Sequence, residues 1–403
     1  MPAYSRKLLA LGCCAFLIGM VLLLREREST SAQGGKVDPP AKEKEATFVV
    51  GPYLQYPTRD SITIMWETTL PGNSFVEYGE SIQLTSKATD EKNGTMHEVT
   101  LRDLKPNTKY LYRVTTVDAE NKTRQSAVLQ FMTAVDEDSA FSFGVIGDTQ
   151  KNPKMTAKIA KLIWERRPNF VIHVGDVVDN GPDKKEWVNE LFGPCQELFS
   201  RAAVFPTIGN HEKNHANYYK YFSLPTPEYF YKYRYGNAEF FVVDSNKSLK
   251  PESEQFKWLD QELGKSTAKW KIAYHHHPAW SSDDDDYGDT KKNIYRMGDL
   301  NVRNLVSLYE KHNVDICFNG HIHAYERTWP LRNSKVSTKD GVIYITSGGG
   351  GGSLEGFSPL PNWFKAQLRV DFHFCYVNVQ SGHLELKAFD QNGNLFDFLD
   401  VRK

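Results

Sequence analysis

Apolar and polar residues alternate along the first part of the chain in a pattern that is typical of β-strands. Between residues 48 and about 134 the alternation has a period of two and is interrupted by turn residues. A stretch of this size with that period predicts an all-β sandwich. Its strands are expected at residues 61–66, 75–78, 98–101, 109–114 and 128–131.

After residue 139 the pattern changes to strands that alternate with helices. Buried-strand runs are expected at residues 141–146, 170–174, 203–207, 240–243, 270–274, 314–318 and 342–346. Helical periodicity is expected at residues 155–167, 253–264 and 301–312. This alternation is typical of α/β domains. The chain is therefore predicted to join an all-β sandwich over residues 47–134 to an α/β domain over residues 139–403.

The N-terminus has the pattern of a targeting segment. Arg6 and Lys7 precede an uncharged, mostly apolar run over residues 8–24, and charged residues follow it directly. Residues 1–28 are therefore either a cleaved secretory signal or a membrane anchor. Residues 29–46 have the composition of a linker. Both alternatives predict an extracytoplasmic protein, either secreted or attached to the membrane through residues 8–24.

The charge and cysteine content exclude several kinds of site. Lys and Arg total 49 against 50 Asp and Glu, which leaves a net charge of −1. Such a balance does not indicate a nucleic-acid-binding surface, so any affinity for phosphate must be local. Of the five cysteines, the three outside the N-terminal apolar run show no CxxC spacing and cannot all pair, so neither a disulfide framework nor a thiolate zinc site is indicated and buried free thiols are predicted. Nothing in the sequence signals an oligomeric state.

Five of the predicted strands run into clusters of residues that can bind metal ions. The clusters contain Asp148, Asp176, Asn210 with His211 and Glu212, the triplet His275 to His277, and His321 with His323. Open α/β sheets place ligands beyond the carboxyl ends of their strands, so these clusters should converge. Oxygen and imidazole ligands without sulfur suit Mn, Fe, Zn or Mg. So many ligands favour two ions, an arrangement that can clamp an in-line displacement at phosphorus.

This ordered set of ligands resembles the calcineurin-like metallophosphoesterase superfamily. Within it, the block GHIHAYER at residues 320–327 closely resembles the GHxHxYER block of the purple acid phosphatases. Residues 104–112 resemble the tyrosine corner of fibronectin type III domains, with Tyr110 as the corner residue and Trp66 in the core. The resemblance implies a fibronectin type III-like domain followed by two β-sheets flanked by helices.

The resemblance also implies a ligand for each position of a dinuclear centre. The first metal would be held by Asp148, Asp176 and His323, and the second by Asp176, Asn210, His276 and His321. The ions would be divalent or trivalent, with Fe, Mn or Zn favoured and Mg also compatible. His276 is chosen from its triplet because the family's ligand stands two residues before a proline, here Pro278. His275 would continue the strand, and His277 would lie behind the ligands or face solvent.

The activity implied by the resemblance is acid phosphatase-like hydrolysis of phosphate monoesters by in-line attack of a hydroxide that bridges the metals. Asn210 would position the phosphoryl group, and His211 would contact it. His211 or Glu212 would protonate the leaving group. One alternative is a phosphodiesterase or nucleotide hydrolase on the same centre. Another is a non-catalytic surface adhesion or scaffold protein, against which the presence of all six ligands argues.

Three positions depart from the purple acid phosphatase pattern. Asp179 stands where those enzymes have the tyrosine that gives their colour, so a purple chromophore is not expected. Gln150 stands in place of a glycine and could be an oxygen ligand, a hydrogen-bond donor or a structural residue. The acidic run at residues 283–286 is either a solvated loop or part of the cleft. The glycine run at residues 347–353 is expected to approach the metals closely.

Overall fold

The computed structural model describes residues 47–289, 291, 292 and 294–403. The predicted targeting segment and linker, residues 1–28 and 29–46, lie outside the described residues, so the extracytoplasmic location stays a prediction. Within the described part of the chain, no helix has both the length and the apolar character needed to cross a membrane.

The N-terminal part folds into strands that wrap around one core. They are β1 (Phe48–Gln55), β2 (Ile62–Gly79), β3 (Ser86–Leu101), β4 (Lys109–Asp118), β5 (Thr123–Gln125) and β6 (Leu129–Met132). The first half of β2 pairs with β1, the second half pairs with β4, and β3 pairs with both halves. The register of the pairing between β2 and β3 shifts around Pro71 and Gly72. Proline has no backbone N–H, so it cannot donate a hydrogen bond to the neighbouring strand. The sequence predicted two separate strands here, and the structure joins them.

The predicted tyrosine corner is confirmed. The backbone N–H of Lys105 donates to Oη of the buried Tyr110 over 3.0 Å. Trp66 is fully buried in the core, and its Nε1–H donates to Thr116 Oγ1 over 2.9 Å. The polar atoms of both aromatic side chains are therefore paired, as burial requires.

A buried histidine is expected to make this domain less stable in acid. His97 is fully buried between the hydroxyls of Thr68 and Ser74, and burial lowers its pKa to about 4. The unfolded residue titrates near 6.5, so the unfolded chain binds the proton first and stability falls as pH drops from about 6.5 to 4. We expect His97→Gln to remove about 2 kcal/mol of the difference in unfolding free energy between neutral and acidic pH. Urea denaturation of both proteins at several pH values in this range would measure the unfolding free energies. If the free energy depends on pH in the same way in wild type and variant, the prediction is wrong.

The C-terminal part contains the remaining elements. In chain order they are β7 (Phe141–Ile146), α1 (Pro153–Glu165), β8 (Phe170–His173), α2 (Lys184–Glu186), α3 (Gly193–Phe199), β9 (Ala203–Pro206), α4 (Ala216–Tyr221), β10 (Tyr231–Tyr235), β11 (Ala238–Val242), α5 (Glu254–Lys265), β12 (Trp270–Tyr274), α6 (Val306–Lys311), β13 (Ile316–Asn319), β14 (Tyr325–Thr328), β15 (Leu331–Arg332), β16 (Lys335–Val336), β17 (Ile343–Ser347), β18 (Lys365–Arg369), β19 (His373–Gln380), β20 (His383–Asp390) and β21 (Leu395–Arg402). A π-helical turn, Trp187–Phe192, precedes α3, and a 3-10 turn, Val302–Leu305, precedes α6.

These elements form two packed sheets with helices outside. One sheet has the order β10-β11-β12-β13-β17-β14-β18 and the other β21-β20-β19-β7-β8-β9. A single aromatic-rich core lies between them. Helices α1, α3 and α4 cover the outer face of the second sheet, and α5 and α6 cover that of the first. The fold predicted from the sequence is confirmed. Strands β7 to β9 run parallel to one another, as do β11 to β13, so each set has its carboxyl ends at one edge.

The strands at the C-terminus were not predicted. The sequence placed no strand after residue 346, whereas β18 extends one sheet and β19 to β21 complete the other. In β20, buried residues alternate with half-buried ones along HLELKAFD. This period-two signal was present in the sequence and would have identified the strand.

Candidate metal centre

The polar clusters that follow β7, β8, β9, β12 and β13 meet at one place. Candidate ligand atoms of Asp148, Asp176 and His276 lie within 4.8 Å of one another, and so do those of His276, His277 and His321. His276 belongs to both groups, which makes the two groups neighbours. The structure therefore confirms that these strand ends converge, as the parallel sheets require.

Three of these residues have an unusual backbone conformation. Asp148, Asp176 and His321 have positive φ angles of 58°, 51° and 71°. Side chains other than glycine rarely occupy this region, and the strain costs roughly 1 kcal/mol or more at each residue. Gly175 has a φ of 94°, and a Cβ atom there would lie 2.6 Å from Nδ1 of His276. The loops are thus held in conformations that aim these side chains at the site.

One group of candidate ligands gathers around Asn210. Its Oδ1 lies 3.0 Å from Nε2 of His276 and 3.1 Å from Nδ1 of His321. Oδ2 of Asp176 lies 3.1 Å from the same Nε2. Because His276 donates its Nδ1–H to the carbonyl of Val174 over 2.8 Å, its Nε2 presents a lone pair to these oxygens. Acceptors that face one another repel, and a cation between them satisfies all of them at once.

A second group gathers around Asp148 and His323. His323 donates its Nδ1–H to the carbonyl of Ser353 over 2.7 Å. Its Nε2 therefore carries the lone pair, 3.6 Å from Oδ1 of Asp148 and 3.1 Å from Nε2 of Gln150. Oδ2 of Asp148 and Oε1 of Gln150 are buried and have no hydrogen-bond partner among the described residues. Buried oxygen atoms without partners are costly, which favours a bound cation here.

The electrostatics of the two buried aspartates favour bound cations. Burial raises the pKa of Asp148, and the charge of Asp176 raises it further. Burial acts in the same direction on Asp176, whereas positive charge beside it, such as that of a protonated His276 or His211, lowers its pKa, so a cation in that place stabilises the carboxylate. The residues present therefore fit the hard-to-borderline metal ions that the sequence predicted.

His211 lies at the open side of this site. Its Nδ1 lies 2.6 Å from the backbone carbonyl oxygen of Asp179 and 3.1 Å from Oδ1 of the same residue. Its Nε2 lies 3.8 Å from Oδ2 of Asp176, and the side chain is 28% exposed. Asp179, whose role the sequence left open, thus orients His211 so that Nε2 lies on the side of Asp176.

Glu212 does not lie where the sequence placed it. It was the alternative proton donor to the leaving group, but its side chain is fully buried behind the loops. Its two oxygens accept the backbone N–H groups of Asp176 and Val177, each over 2.9 Å, and of Gly209 over 2.7 Å. With both oxygens used in this way, Glu212 shapes the loops and has no access to a substrate.

The other two histidines of the triplet have different surroundings. His275 is fully buried, with Nδ1 2.9 Å from Nδ2 of Asn319 and 2.8 Å from the carbonyl of His277. It was expected to continue the strand, but β12 ends one residue earlier, at Tyr274. His277 forms part of the wall of the site, because its ring lies 4.4 Å from that of His321. Its Nδ1 lies 2.8 Å from Oγ of Ser245. The sequence alone did not show whether His277 lies behind the ligands or faces solvent.

Two loops that the sequence singled out border the site. Asp286 brings Oδ2 to 2.9 Å from Nε2 of His321, so the acidic run reaches the centre at one residue. In the glycine run, a Cβ atom at Gly352 would lie 2.6 Å from the ring of His323. The expected close approach of this run is confirmed.

Two family models match the chain. Residues 50–133 match the purple acid phosphatase N-terminal domain, and residues 141–325 match the calcineurin-like phosphoesterase domain. The second match contains all six candidate ligands. It ends at Tyr325, before the strands that complete the sheets.

Other proteins and one solved structure are similar to most of this chain. The Homo sapiens protein acid phosphatase type 7 is 25% identical over 395 residues, which cover 86% of this chain and 89% of that protein. Probable inactive purple acid phosphatase 24 of Arabidopsis thaliana is 25% identical over 355 residues, covering 76% of this chain and 55% of that protein. The structure of purple acid phosphatase PPD1 from yellow lupin (Lupinus luteus) superposes with a TM-score of 0.77 at 20% identity, over 87% of this chain and 74% of that one. The chain thus joins a purple acid phosphatase N-terminal domain to a domain of the calcineurin-like phosphoesterase family.

Proposed function

We propose that the protein is a dinuclear metal-dependent phosphoesterase that hydrolyses phosphate monoesters, as acid phosphatases do. The observation that carries the proposal is the crowding of lone pairs around Asn210, His276 and Asp176, at distances of 3.0–3.1 Å. A cation placed between these atoms would satisfy all of them at once. Similarity to acid phosphatase type 7 supports the reaction class.

In this proposal each ion takes its own set of ligands, and Asp176 is shared. The first ion would be held by Asp148, Asp176 and His323, with Gln150 beside them, and the second by Asp176, Asn210, His276 and His321. Bound ions would supply positive charge for the phosphoryl oxygens and lower the pKa of a water nucleophile. The shared aspartate sets the distance between the two sets of ligands.

The other residues position the substrate and move a proton. Because Oδ1 of Asn210 faces the imidazoles, its Nδ2–H group is left for a phosphoryl oxygen. His211 is held by Asp179 through Nδ1, so its Nε2 can contact the phosphoryl group and pass a proton to the leaving oxygen. No step requires a covalent bond between enzyme and substrate.

Replacing His211 with glutamine is expected to lower kcat by roughly 100-fold, because general acid catalysis is lost. The loss should be larger for an alkyl phosphate, whose leaving group needs the proton, than for p-nitrophenyl phosphate. Steady-state kinetics on both substrates would measure the difference. Metal content should not change, since His211 is not a proposed ligand. Equal losses on both substrates would show that His211 only binds the phosphoryl group.

A phosphodiesterase on the same centre is the second candidate. The exposed carboxylate of Asp286 borders the site and would repel a dianionic monoester more than a monoanionic diester. Turnover of p-nitrophenyl phosphate and of bis-p-nitrophenyl phosphate by the metal-loaded protein separates the two candidates. We expect the monoester to have the higher kcat/KM. A preference for the diester would reverse the assignment.

The same experiment tests the non-catalytic alternative. Some relatives are named probable inactive purple acid phosphatases, so membership of the family does not by itself establish catalysis. Metal-loaded protein that turns over neither substrate would support a surface adhesion or scaffold role for the fibronectin-like domain.

A further inference from the structure

The two histidines of the GHIH motif face the centre through opposite ring nitrogens. His323 points Nε2 inward, and its Nδ1 lies 2.7 Å from the carbonyl of Ser353. His321 points Nδ1 inward, 3.1 Å from Oδ1 of Asn210, and its outward Nε2 lies 2.9 Å from Oδ2 of Asp286. Each ring must therefore carry its proton on a different nitrogen if its inward nitrogen is to bind a cation.

The residue that faces Nε2 of His321 sits on an anchored loop, residues 281–289, called here the acidic loop. Ser282 donates its backbone N–H and its hydroxyl to Glu326, over 2.8 and 2.6 Å. Asp283 is buried, and its carboxylate accepts the backbone N–H groups of Asp285 and Tyr287, each over 2.8 Å. These bonds determine the path of the loop on either side of Asp286.

The acidic loop is also tied to the segment that holds the other histidine. The backbone N–H of Ser358 donates to the carbonyl of Ser282 over 2.8 Å, and Asp283 forms an isolated β-bridge with Phe357. The same segment contains Ser353, whose carbonyl accepts a hydrogen bond from Nδ1–H of His323. The outward nitrogens of His321 and His323 thus find their hydrogen-bond acceptors on two loops that are bonded to each other.

Asp286 differs from its neighbours in the acidic run. Asp283 is used within the loop, and Asp284 and Asp285 are exposed. Asp286 is half exposed, at 52%, but its carboxylate meets an imidazole whose side chain is only 16% exposed. A carboxylate that accepts a hydrogen bond from the outward nitrogen of a ligating histidine holds the ring in place and makes the inward nitrogen a better donor to a metal.

We propose that Asp286 is a positioning residue for the second metal site, where its hydrogen bond from Nε2–H of His321 fixes Nδ1 as the ligand atom. The inference rests on the proposed function, since it requires an ion to bind beside Asn210, His276 and His321. The inference gives the acidic loop a part in metal binding, although this loop lies outside the sequence motifs that contain the candidate ligands.

The test is a calorimetric titration of the metal-free protein with Mn²⁺. We expect Asp286→Ala to lower the affinity of one of the two sites by roughly 10- to 100-fold and to leave the other site within about threefold. Asp286→Asn keeps an acceptor for Nε2–H and should recover part of the loss. Asp285→Asn removes the same charge from the adjacent exposed residue and is the matched control, with both affinities unchanged.

A second measurement detects the ligand atom directly. Ring ¹⁵N chemical shifts of the protein loaded with diamagnetic Zn²⁺ should show His321 bound through Nδ1 with its proton on Nε2 in the wild type, and a mixture of states in Asp286→Ala. Equal Mn²⁺ affinities in wild type and Asp286→Ala would overturn the inference and leave the proposed function standing. A wild type that binds fewer than two ions would overturn both. An equal loss in Asp285→Asn would show that only the charge matters and would also overturn it.

Discussion

Asp176→Ala is expected to abolish metal loading and phosphate ester hydrolysis together, with kcat lowered roughly 1000-fold or more. Asp176 is almost completely buried and lies between the two groups of ligands, with Oδ2 3.1 Å from Nε2 of His276. Its other oxygen accepts the backbone N–H of His211 over 2.9 Å, so the loop that carries Asn210 also depends on it. One substitution therefore affects both proposed ions and the position of the phosphoryl group.

The control for this substitution is Asp179→Asn, three residues along the same loop. Asp179 contacts His211 and is not a proposed ligand, so the variant should keep its metal and lose only part of its activity. Metal analysis and steady-state turnover of p-nitrophenyl phosphate on the same samples give both readouts. Retention of metal and turnover by Asp176→Ala would contradict the assignment of Asp176 as the shared ligand.

The second large effect is on stability. Glu212→Ala should lower the free energy of unfolding by about 4 kcal/mol, because it leaves several buried backbone N–H groups without an acceptor. Those groups belong to Asp176, Val177 and Gly209, so activity should also fall as the loops lose their shape. Chemical denaturation of metal-free wild type and variant measures the stability without a contribution from metal binding.

Glu212→Gln is the informative partner of that variant. Glutamine preserves the volume and one acceptor oxygen, so it should recover a part of the lost stability. A proton donor at this position would instead lose activity in Glu212→Gln without any change in stability. That result would return Glu212 to the role that the sequence first suggested.

Much of the site could be predicted from the sequence because its ligands follow buried strands directly. Asp148, Asp176 and His276 each come within three residues of a strand end, and parallel strands bring such positions to one edge. The buried thiols Cys195, Cys317 and Cys375 are free, as their spacing indicated. The tyrosine corner could be predicted for a similar reason, since Tyr110 and Lys105 lie in one short turn.

What could not be predicted depends on contacts between loops that are distant in sequence. Asp286 lies 35 residues before His321, and nothing in the run of aspartates distinguishes it from Asp285. Glu212 follows His211 directly, yet the two side chains point to opposite sides of the loop, one to the backbone of residues 176–178 and the other to the open site. Local spacing does not determine such directions, because they are set by the packing of the sheets.

The most direct test of the dinuclear proposal is turnover of p-nitrophenyl phosphate by metal-free protein while Mn²⁺ is added in measured equivalents. The two proposed sets of ligands have Asp176 in common, and His276 belongs to both groups of neighbouring ligand atoms. Catalysis should therefore require both ions. We expect turnover to rise until two equivalents per chain are bound and then to stay constant. A plateau at one equivalent, or turnover that added metal does not change, would contradict the dinuclear centre.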